Sequence, residues 1–238
     1  MQTAERHFKL LLFAGCLSPA VVLGGQWWQG LLGANPVEAI TRESGIWALR
    51  FLLITLAVTP LRRISGWHGV VRYRRMLGLF AFFYASLHLL IYLWLEQSFF
   101  WGEILLDIQE RPFITVGFVT FLILLLLTIT SPKAAVRWMG GRRWRRLHRL
   151  VYLAAAGGVI HYWWLVKVDV RNPTFYALFL GGLLLLRLFF LKGRAWFAVK
   201  GKASCYQPAR ASTGRRLLFD GFHAQETERI ELDNGGKG

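Results

Sequence analysis

One apolar stretch carries a histidine near each end. Residues 146–164 read RLHRLVYLAAAGGVIHYWW, and His148 and His161 are thirteen residues apart. At a helical rise of 1.5 Å per residue, the two imidazoles lie roughly 20 Å apart along the axis, within a hydrocarbon core about 30 Å thick. Ionisable side chains are costly at membrane depth and usually mark function. The stretch therefore predicts two sites, one near each face of the membrane.

A second stretch offers a partner for each histidine. Arg74 and His88 are fourteen residues apart, so on a helix they face within about 40° of each other and lie roughly 21 Å apart. If both stretches run in the same direction, Arg74 lies at the depth of His148, and His88 lies at the depth of His161. Two imidazoles from facing helices suit the iron of a b-type haem, because no CxxCH motif for covalent attachment is present.

The inner pair, Arg74 with His148, is the less usual iron site. A guanidinium is normally charged and has no acceptor lone pair, so Arg74 is better suited to a haem propionate. An ideal helix also places His148 and His161 about 140° away from a shared face. Either Gly157-Gly158 introduces an irregularity, or the two sites lie on different sides of the helix.

Spacing alone leaves two other interpretations of these residues open. They could form a proton or ion pathway, or they could make structural hydrogen bonds between helices. A proton relay usually adds buried acids, and no Asp or Glu lies in the middle of a predicted helix. Arg50, one turn inside the second predicted helix, is interpreted as snorkelling to the interface in preference to a contact with a cofactor carboxylate.

The composition predicts an integral membrane protein. Of the 238 residues, 55% are apolar and 15% are aromatic, and they fall in long runs with few charges. The net charge of +16 is compatible with nucleic-acid binding, but basic cytoplasmic loops between apolar helices explain it better. Cys16 and Cys205 have no zinc or CxxC spacing, so neither a disulfide nor a metal site is expected at them.

The apolar runs predict an all-α bundle of six transmembrane helices. Their expected ranges are 8–28, 45–60, 76–97, 112–130, 146–164 and 174–191. The stretch before the second helix is predicted to be a polar loop over 29–44, and the third helix is followed by an acid-rich loop. Residues 1–191 form the predicted haem-binding domain, and residues 192–238 form a polar tail that is expected to be largely disordered.

Basic residues predict the orientation of the bundle. Five arginines lie in the connection 61–75 and seven basic residues lie in 131–149, whereas the three opposite connections share four. Because basic residues collect on the cytoplasmic side, both termini are expected there. The third and fifth helices then run in the same direction, as the pairing of sites requires.

Five stretches of the sequence are similar to a known family. They are GANPVEAITRESGIWALRFLLITLAVTPLRR (33–63), RRMLGLFAFFYASLHLLIY (74–92), ERPFITVGF (110–118), GRRWRRLHRLVYLAA (141–155) and IHYWWLVK (160–167). These stretches resemble the MsrQ family, also called YedZ, of haem-binding membrane subunits of bacterial methionine sulfoxide reductase systems. That family belongs to the ferric-reductase-like transmembrane group, which also includes the NADPH oxidases.

The resemblance implies roles for four residues. His88, His148 and His161 stand where the family's haem-associated histidines stand. Arg74 stands where related oxidoreductases have an inner histidine. The implied cofactors are one or two b haems together with FMN, for which no residue is assigned.

The resemblance also implies a function in the bacterial inner membrane. The protein would pass electrons from quinol or a cytosolic flavin reductase to a periplasmic molybdenum-cofactor enzyme of the MsrP type, which reduces methionine sulfoxide in proteins. The tail has no Gly-rich dinucleotide fingerprint, so electrons must come from another molecule. The rival functions are a ferric or cupric reductase and a cofactor-free transporter or structural partner.

Overall fold

Nine α-helices and two short helical turns make up the part of the chain that the computed structural model describes. That part is residues 2–166 and 169–204, with side chains described for residues 6–67, 69–166 and 169–190. The helices are α1 (Gln2–Trp28), α2 (Pro36–Ser65), α3 (Arg74–Ile91), α4 (Trp101–Glu110), α5 (Pro112–Ile129), α6 (Lys133–Met139), α7 (Gly141–Leu147), α8 (Leu150–Leu165) and α9 (Arg171–Ser204). The chain divides into two units, Met1–Arg194 and Ala195–Gly238, and the first unit holds all the side chains discussed below.

Five of the described helical segments are long and apolar enough to cross a membrane. They are Arg6–Trp28, Pro36–Ser65, Gly69–Glu96, Pro112–Ile129 and Arg171–Phe190. The sixth predicted span corresponds to α8, whose 16 residues measure about 24 Å, somewhat less than a hydrocarbon core. With α8 as a short sixth helix, the predicted all-α membrane bundle is confirmed, and the protein is a multi-pass membrane protein.

α2 begins nine residues earlier than predicted. Asn35 caps it, accepting a hydrogen bond from the backbone N–H of Glu38 at 3.3 Å, and Pro36 takes the first helical position, where its missing N–H costs nothing. The prediction of a polar loop over 29–44 is therefore wrong for its second half. The additional turns bring Thr41 into the helix, one turn before Gly45.

The acid-rich stretch after α3 is also largely helical, contrary to the predicted loop. α3 continues as a π-helical turn over Tyr92–Glu96, and α4 follows. Asp107 on α4 accepts hydrogen bonds from the hydroxyl of Tyr92 at 2.9 Å and from the side-chain amide of Gln97 at 2.6 Å. It also forms an ion pair with Arg111 at 3.2 Å. These contacts tie the end of α3 to the start of α5.

The fifth predicted helix, 146–164, is interrupted. α7 ends at Leu147, His148 and Arg149 form a turn, and α8 begins at Leu150. The indole N–H of Trp144 donates to the backbone carbonyl of Thr130 at 2.9 Å, which ties α7 to the end of α5. Because His148 and His161 do not share one regular helix, the angle of about 140° calculated for an ideal helix does not apply.

α9 runs thirteen residues past the predicted domain boundary at residue 191, and it ends at Ser204. The remainder of the predicted tail, 205–238, lies outside the described residues. Arg50 on α2 donates from Nε to the hydroxyl of Tyr176 on α9 at 2.9 Å, and its guanidinium lies 4.7 Å from the ring centre of Trp47. Arg50 therefore contacts two aromatic side chains of the bundle.

Two helix pairs form the centre of the bundle. α2 packs along α3, and α5 packs along α8, while α3 also meets α5 and α2 meets α8. Small residues on α8 permit this close approach. Ala154 and Ala155 have no exposed surface, Gly157 lies against the side chain of Thr120 on α5, and Gly158 lies against Leu49 on α2.

Tyr84 of α3 attaches that helix to α1 by placing its hydroxyl between two backbone groups of α1. Pro19 has no N–H to donate, and the hydroxyl of Ser18 donates to the carbonyl of Gly15 at 2.9 Å instead. The hydroxyl of Tyr84 donates to the carbonyl of Cys16 at 2.9 Å and accepts from the N–H of Ala20 at 3.0 Å. Those two backbone groups are one helical turn apart and would otherwise bond to each other.

Replacing Tyr84 by phenylalanine is expected to lower the free energy of unfolding by about 1–3 kcal/mol, because two hydrogen bonds between α3 and α1 are lost and the backbone of α1 must close to restore its direct bond. The measurement is the thermal unfolding midpoint in detergent. Tyr152→Phe is the matched control: the hydroxyl of Tyr152 is buried and has no hydrogen-bond partner among the described residues, so its removal should be neutral or stabilising. Equal midpoints for Tyr84→Phe and the wild type would contradict the bridging role.

Candidate functional site

The structure brings His88 and His161 together. His88 lies near the end of α3 and His161 near the end of α8. Their ring centres are 6.1 Å apart, and the ring planes are inclined at 79°. The π-helical turn that begins at Tyr92 starts one helical turn after His88, and such irregular turns often occur at functional sites.

Both rings are fixed by the same kind of hydrogen bond. Nδ1 of His88 lies 2.8 Å from the backbone carbonyl of Thr41 on α2, and Nδ1 of His161 lies 2.6 Å from that of Phe113 on α5. A carbonyl can only accept, so each Nδ1 carries the proton and each Nε2 keeps a lone pair. Among the described residues, neither Nε2 has a hydrogen-bond partner, so both are free to bind a metal.

A glycine one turn after each carbonyl lies against the ring. A Cβ added to Gly45 would come within 3.0 Å of Nδ1 and 3.1 Å of Cε1 of His88. A Cβ added to Gly117 would come within 2.7 Å and 2.8 Å of the same atoms of His161. Any larger residue would therefore displace a ring, and the absence of a side chain at these two positions is what lets the imidazoles approach α2 and α5 this closely.

The two halves of the site repeat one arrangement. In each half, a helix supplies a carbonyl and, four residues later, a glycine, and its partner helix supplies the histidine. Sequence reasoning missed both glycines and both carbonyl acceptors of this support, because no feature of the sequence sets these two glycines apart from the others.

The pair fits a metal whose remaining ligands come from a macrocycle. Two imidazoles that bind one metal from opposite sides, each with a nitrogen about 2 Å from it, have ring centres roughly 6 Å apart. The ring centres of His88 and His161 are 6.1 Å apart. Within the described part of the chain, no group of three or more His, Cys, Asp and Glu could hold a metal. A protein-only zinc site needs three or four such ligands, whereas a haem iron needs only the two axial ones.

His148 is arranged differently from the other two histidines. Its Nε2 lies 3.2 Å from the hydroxyl of Thr130, and its ring stacks on Trp144 with ring centres 4.0 Å apart. The Thr130 hydroxyl already donates to the carbonyl of Leu126 at 2.7 Å, so it accepts from His148. In this arrangement Nε2 carries the proton and Nδ1 keeps the lone pair, which is the opposite tautomer from His88 and His161.

The positive charge of Arg74 acts on His148, the other residue of the predicted inner pair. Burial lowers the pKa of His148, the hydrogen bond to Thr130 raises it, and the positive charge of Arg74 lowers it further. Arg74 is the first residue of α3 and is half-buried. The inner pair is therefore a guanidinium with an imidazole, whereas the outer pair consists of two imidazoles.

Comparison with known proteins assigns the chain to a family. Residues 44–159 match the model of the ferric reductase like transmembrane component, a range that includes His88 and His148 and ends two residues before His161. The chain is similar to three proteins called "Protein-methionine-sulfoxide reductase heme-binding subunit MsrQ". The one from Azospira oryzae is 54% identical over 177 residues, covering 74% of this chain and 76% of the relative.

The two other relatives extend this similarity over most of the chain. The protein from Rhodospirillum rubrum is 50% identical over 188 residues, which cover 79% of this chain and 90% of the relative. The protein from Herminiimonas arsenicoxydans is 50% identical over 183 residues, which cover 76% and 84%. The resemblance found in the sequence is thereby confirmed, and the chain belongs to the MsrQ family of ferric-reductase-like transmembrane proteins.

Proposed function

We propose that this protein is a haem-binding membrane subunit that conducts electrons to a methionine sulfoxide reductase. The observation that carries the proposal is the outer pair, in which His88 and His161 each have Nδ1 tied to a carbonyl and Nε2 available, with ring centres 6.1 Å apart. The names of the relatives support the choice of haem and of the reductase system.

The protein's own contribution is to bind and orient the cofactor in an apolar environment. The carbonyls of Thr41 and Phe113 fix the tautomer and make each imidazole a better donor. The surrounding helices exclude water, which together with the ligands tunes the reduction potential. Haem b supplies reversible one-electron transfer when it is bound there.

A second haem is proposed at the inner pair, where His148 would hold its iron. Arg74 is assigned to a haem propionate, because a guanidinium has no lone pair for iron and forms paired hydrogen bonds with carboxylates. His148 offers Nδ1 in the arrangement described, or Nε2 after release from Thr130. Two sites at different depths would make a path through the bilayer.

The direction of transfer follows from the basic connections. The arginine-rich segments at 61–75 and 131–149 support placing both termini in the cytoplasm of a bacterium, with the protein in the inner membrane. The outer pair would then lie toward the periplasm and deliver electrons to a molybdenum-containing reductase of the MsrP type. Quinol or a cytosolic flavin reductase is the proposed donor, with FMN as an associated cofactor to which no residue is assigned.

The visible spectrum of the purified protein tests the central step. Soret and α bands that sharpen on reduction are expected for low-spin haem with two axial histidines. A protein expressed with adequate haem supply that shows neither band would exclude haem and favour a cofactor-free transporter or structural partner.

Reoxidation of the reduced protein tests the partner. Complete reoxidation is expected when the periplasmic molybdoenzyme, in catalytic amount, and methionine sulfoxide are both present. The catalytic amount of molybdoenzyme alone should accept only its own stoichiometric share of electrons, and methionine sulfoxide alone should accept none. Reoxidation by ferric or cupric chelates, without any by the molybdoenzyme and its substrate, would favour a metal reductase instead.

A further inference from the structure

We propose that Gly45 and Gly117 are positioning residues that hold the two histidine rings nearly perpendicular, and that this orientation tunes the iron between them. The proposal rests on the proposed function, since it concerns how the outer haem is held. The ring planes are inclined at 79°. Two imidazole planes that are perpendicular overlap with two different iron d orbitals, whereas parallel planes overlap with the same one. The angle between the planes therefore affects both the reduction potential and the magnetic anisotropy of the ferric ion.

Each ring is held at two points of one neighbouring helix. The Nδ1–H of His88 bonds to the carbonyl of Thr41, and the same ring lies against Gly45 one turn later. A methyl group at position 45 would press on Nδ1 and Cε1, which are atoms of a rigid ring. That ring cannot simply move away, because its Nδ1–H is tied to the same helix. The ring must tilt or the hydrogen bond must lengthen.

The second support is tighter than the first. The hypothetical Cβ contacts at Gly117 with the ring of His161 are 2.7 Å and 2.8 Å, against 3.0 Å and 3.1 Å at Gly45 with the ring of His88. Alanine should therefore disturb His161 more than His88. A role limited to helix packing would not produce this order in the properties of the iron.

Glycines in α3 and α8, the helices that carry the two histidines, provide the comparison. A Cβ at Gly78 on α3 would meet only the methyl group of Thr55, at 3.7 Å, and one at Gly158 on α8 would meet only Leu49, at 3.4 Å. Among the described glycines, only Gly45 and Gly117 face a histidine ring. Gly78→Ala is therefore a matched control for the loss of a glycine inside the same helix bundle.

The experiment compares Gly45→Ala, Gly117→Ala, Gly78→Ala and the wild type, each purified with its haem. The readouts are the ferric low-spin electron paramagnetic resonance spectrum, the midpoint potential and the haem-to-protein ratio. The wild type and Gly78→Ala should share a strongly anisotropic signal, as expected for perpendicular ligand planes. Gly117→Ala should give a less anisotropic, more rhombic signal and a shifted midpoint potential, and its affinity for the outer haem should be about tenfold lower. Gly45→Ala should show smaller changes in the same direction.

The outcomes separate this proposal from the one on which it rests. Haem in every variant, with spectra and potentials identical to those of the wild type, would overturn the role of the glycines and leave the haem-binding function intact. Absence of haem from the wild type would overturn both. If Gly117→Ala does not yield folded protein, the milder Gly45→Ala variant decides, and an unchanged signal in it counts against the proposal.

Discussion

Replacing His161 by alanine is expected to abolish the outer haem and to leave a folded bundle. The imidazole is half-buried, and its loss removes one of the two ring nitrogens that we propose bind the iron. Mutation of a residue that merely supports a metal ligand typically costs about 10–100-fold in metal affinity, so loss of the ligand itself should exceed that. His88→Ala should have the same result, because we propose that both rings bind one iron.

The measurement is haem per protein, together with the reduced-minus-oxidised spectrum. His7→Ala is the matched control, since His7 is exposed near the start of α1 and should bind no haem. Melting of the variants in detergent tests whether the bundle survives. Wild-type haem content in both His88→Ala and His161→Ala would refute the pairing, whereas loss in one variant only would show that the two rings serve different groups.

The sequence predicted the pairing of histidines but not what holds them. His88 and His161 are rare ionisable residues in apolar stretches, so their depth could be calculated from the helical rise alone. Their supports are backbone carbonyls and the missing side chains of Gly45 and Gly117. A backbone carbonyl has no sequence signature, and a glycine in an apolar run looks the same whether it faces a lipid, a helix or an imidazole.

Helix boundaries were predictable where backbone chemistry marks them. α5 begins at Pro112 and ends at Ile129, within one residue of the prediction, because a proline marks its start and Pro132 follows its end. α4 was missed because its acids suggested a loop. Its apolar residues nevertheless recur at helical spacing, at Trp101, Ile104, Leu105 and Ile108, which is the pattern of an amphipathic helix.

The interruption between α7 and α8 could not be predicted from local sequence. No glycine or proline lies at His148 or Arg149, so nothing there marks the end of a helix. The turn coincides with contacts to another element, since Trp144 and His148 both bond to Thr130 at the end of α5. Such contacts depend on which helices are neighbours, and a single sequence does not contain that information.

The repeated support suggests how the two-site path is organised. α2 and α3 hold His88, and α5 and α8 hold His161, with the same carbonyl, glycine and histidine in each half. The inner residues break this equivalence: Arg74 begins α3, whereas His148 lies in the turn before α8. The two proposed haems should therefore differ in ligation, in spectrum and in potential.

This difference makes Arg74 and His148 the second decisive test. His148→Ala is expected to lower the haem content by about one haem per protein and to leave the spectrum of the outer haem unchanged, because the His88 and His161 rings do not depend on Thr130 or Trp144. Arg74→Ala should also weaken inner haem binding, since a propionate at membrane depth would lose its cation. Arg74→Lys should restore part of that binding, because it keeps the charge but not the planar fork.

The matched control for Arg74 is its neighbour Arg75, which is exposed and whose replacement by alanine should leave the haem content unchanged. The measurements are haem per protein and the midpoint potentials, with the outer haem as an internal reference in every sample. A wild-type stoichiometry of one, unaltered in both His148→Ala and Arg74→Ala, would contradict the inner site and reduce the path to the outer haem alone. A loss of haem in His148→Ala but none in Arg74→Ala would support the inner haem and contradict the role of Arg74 in holding it. A cation that neutralises a propionate cannot be dispensable for binding.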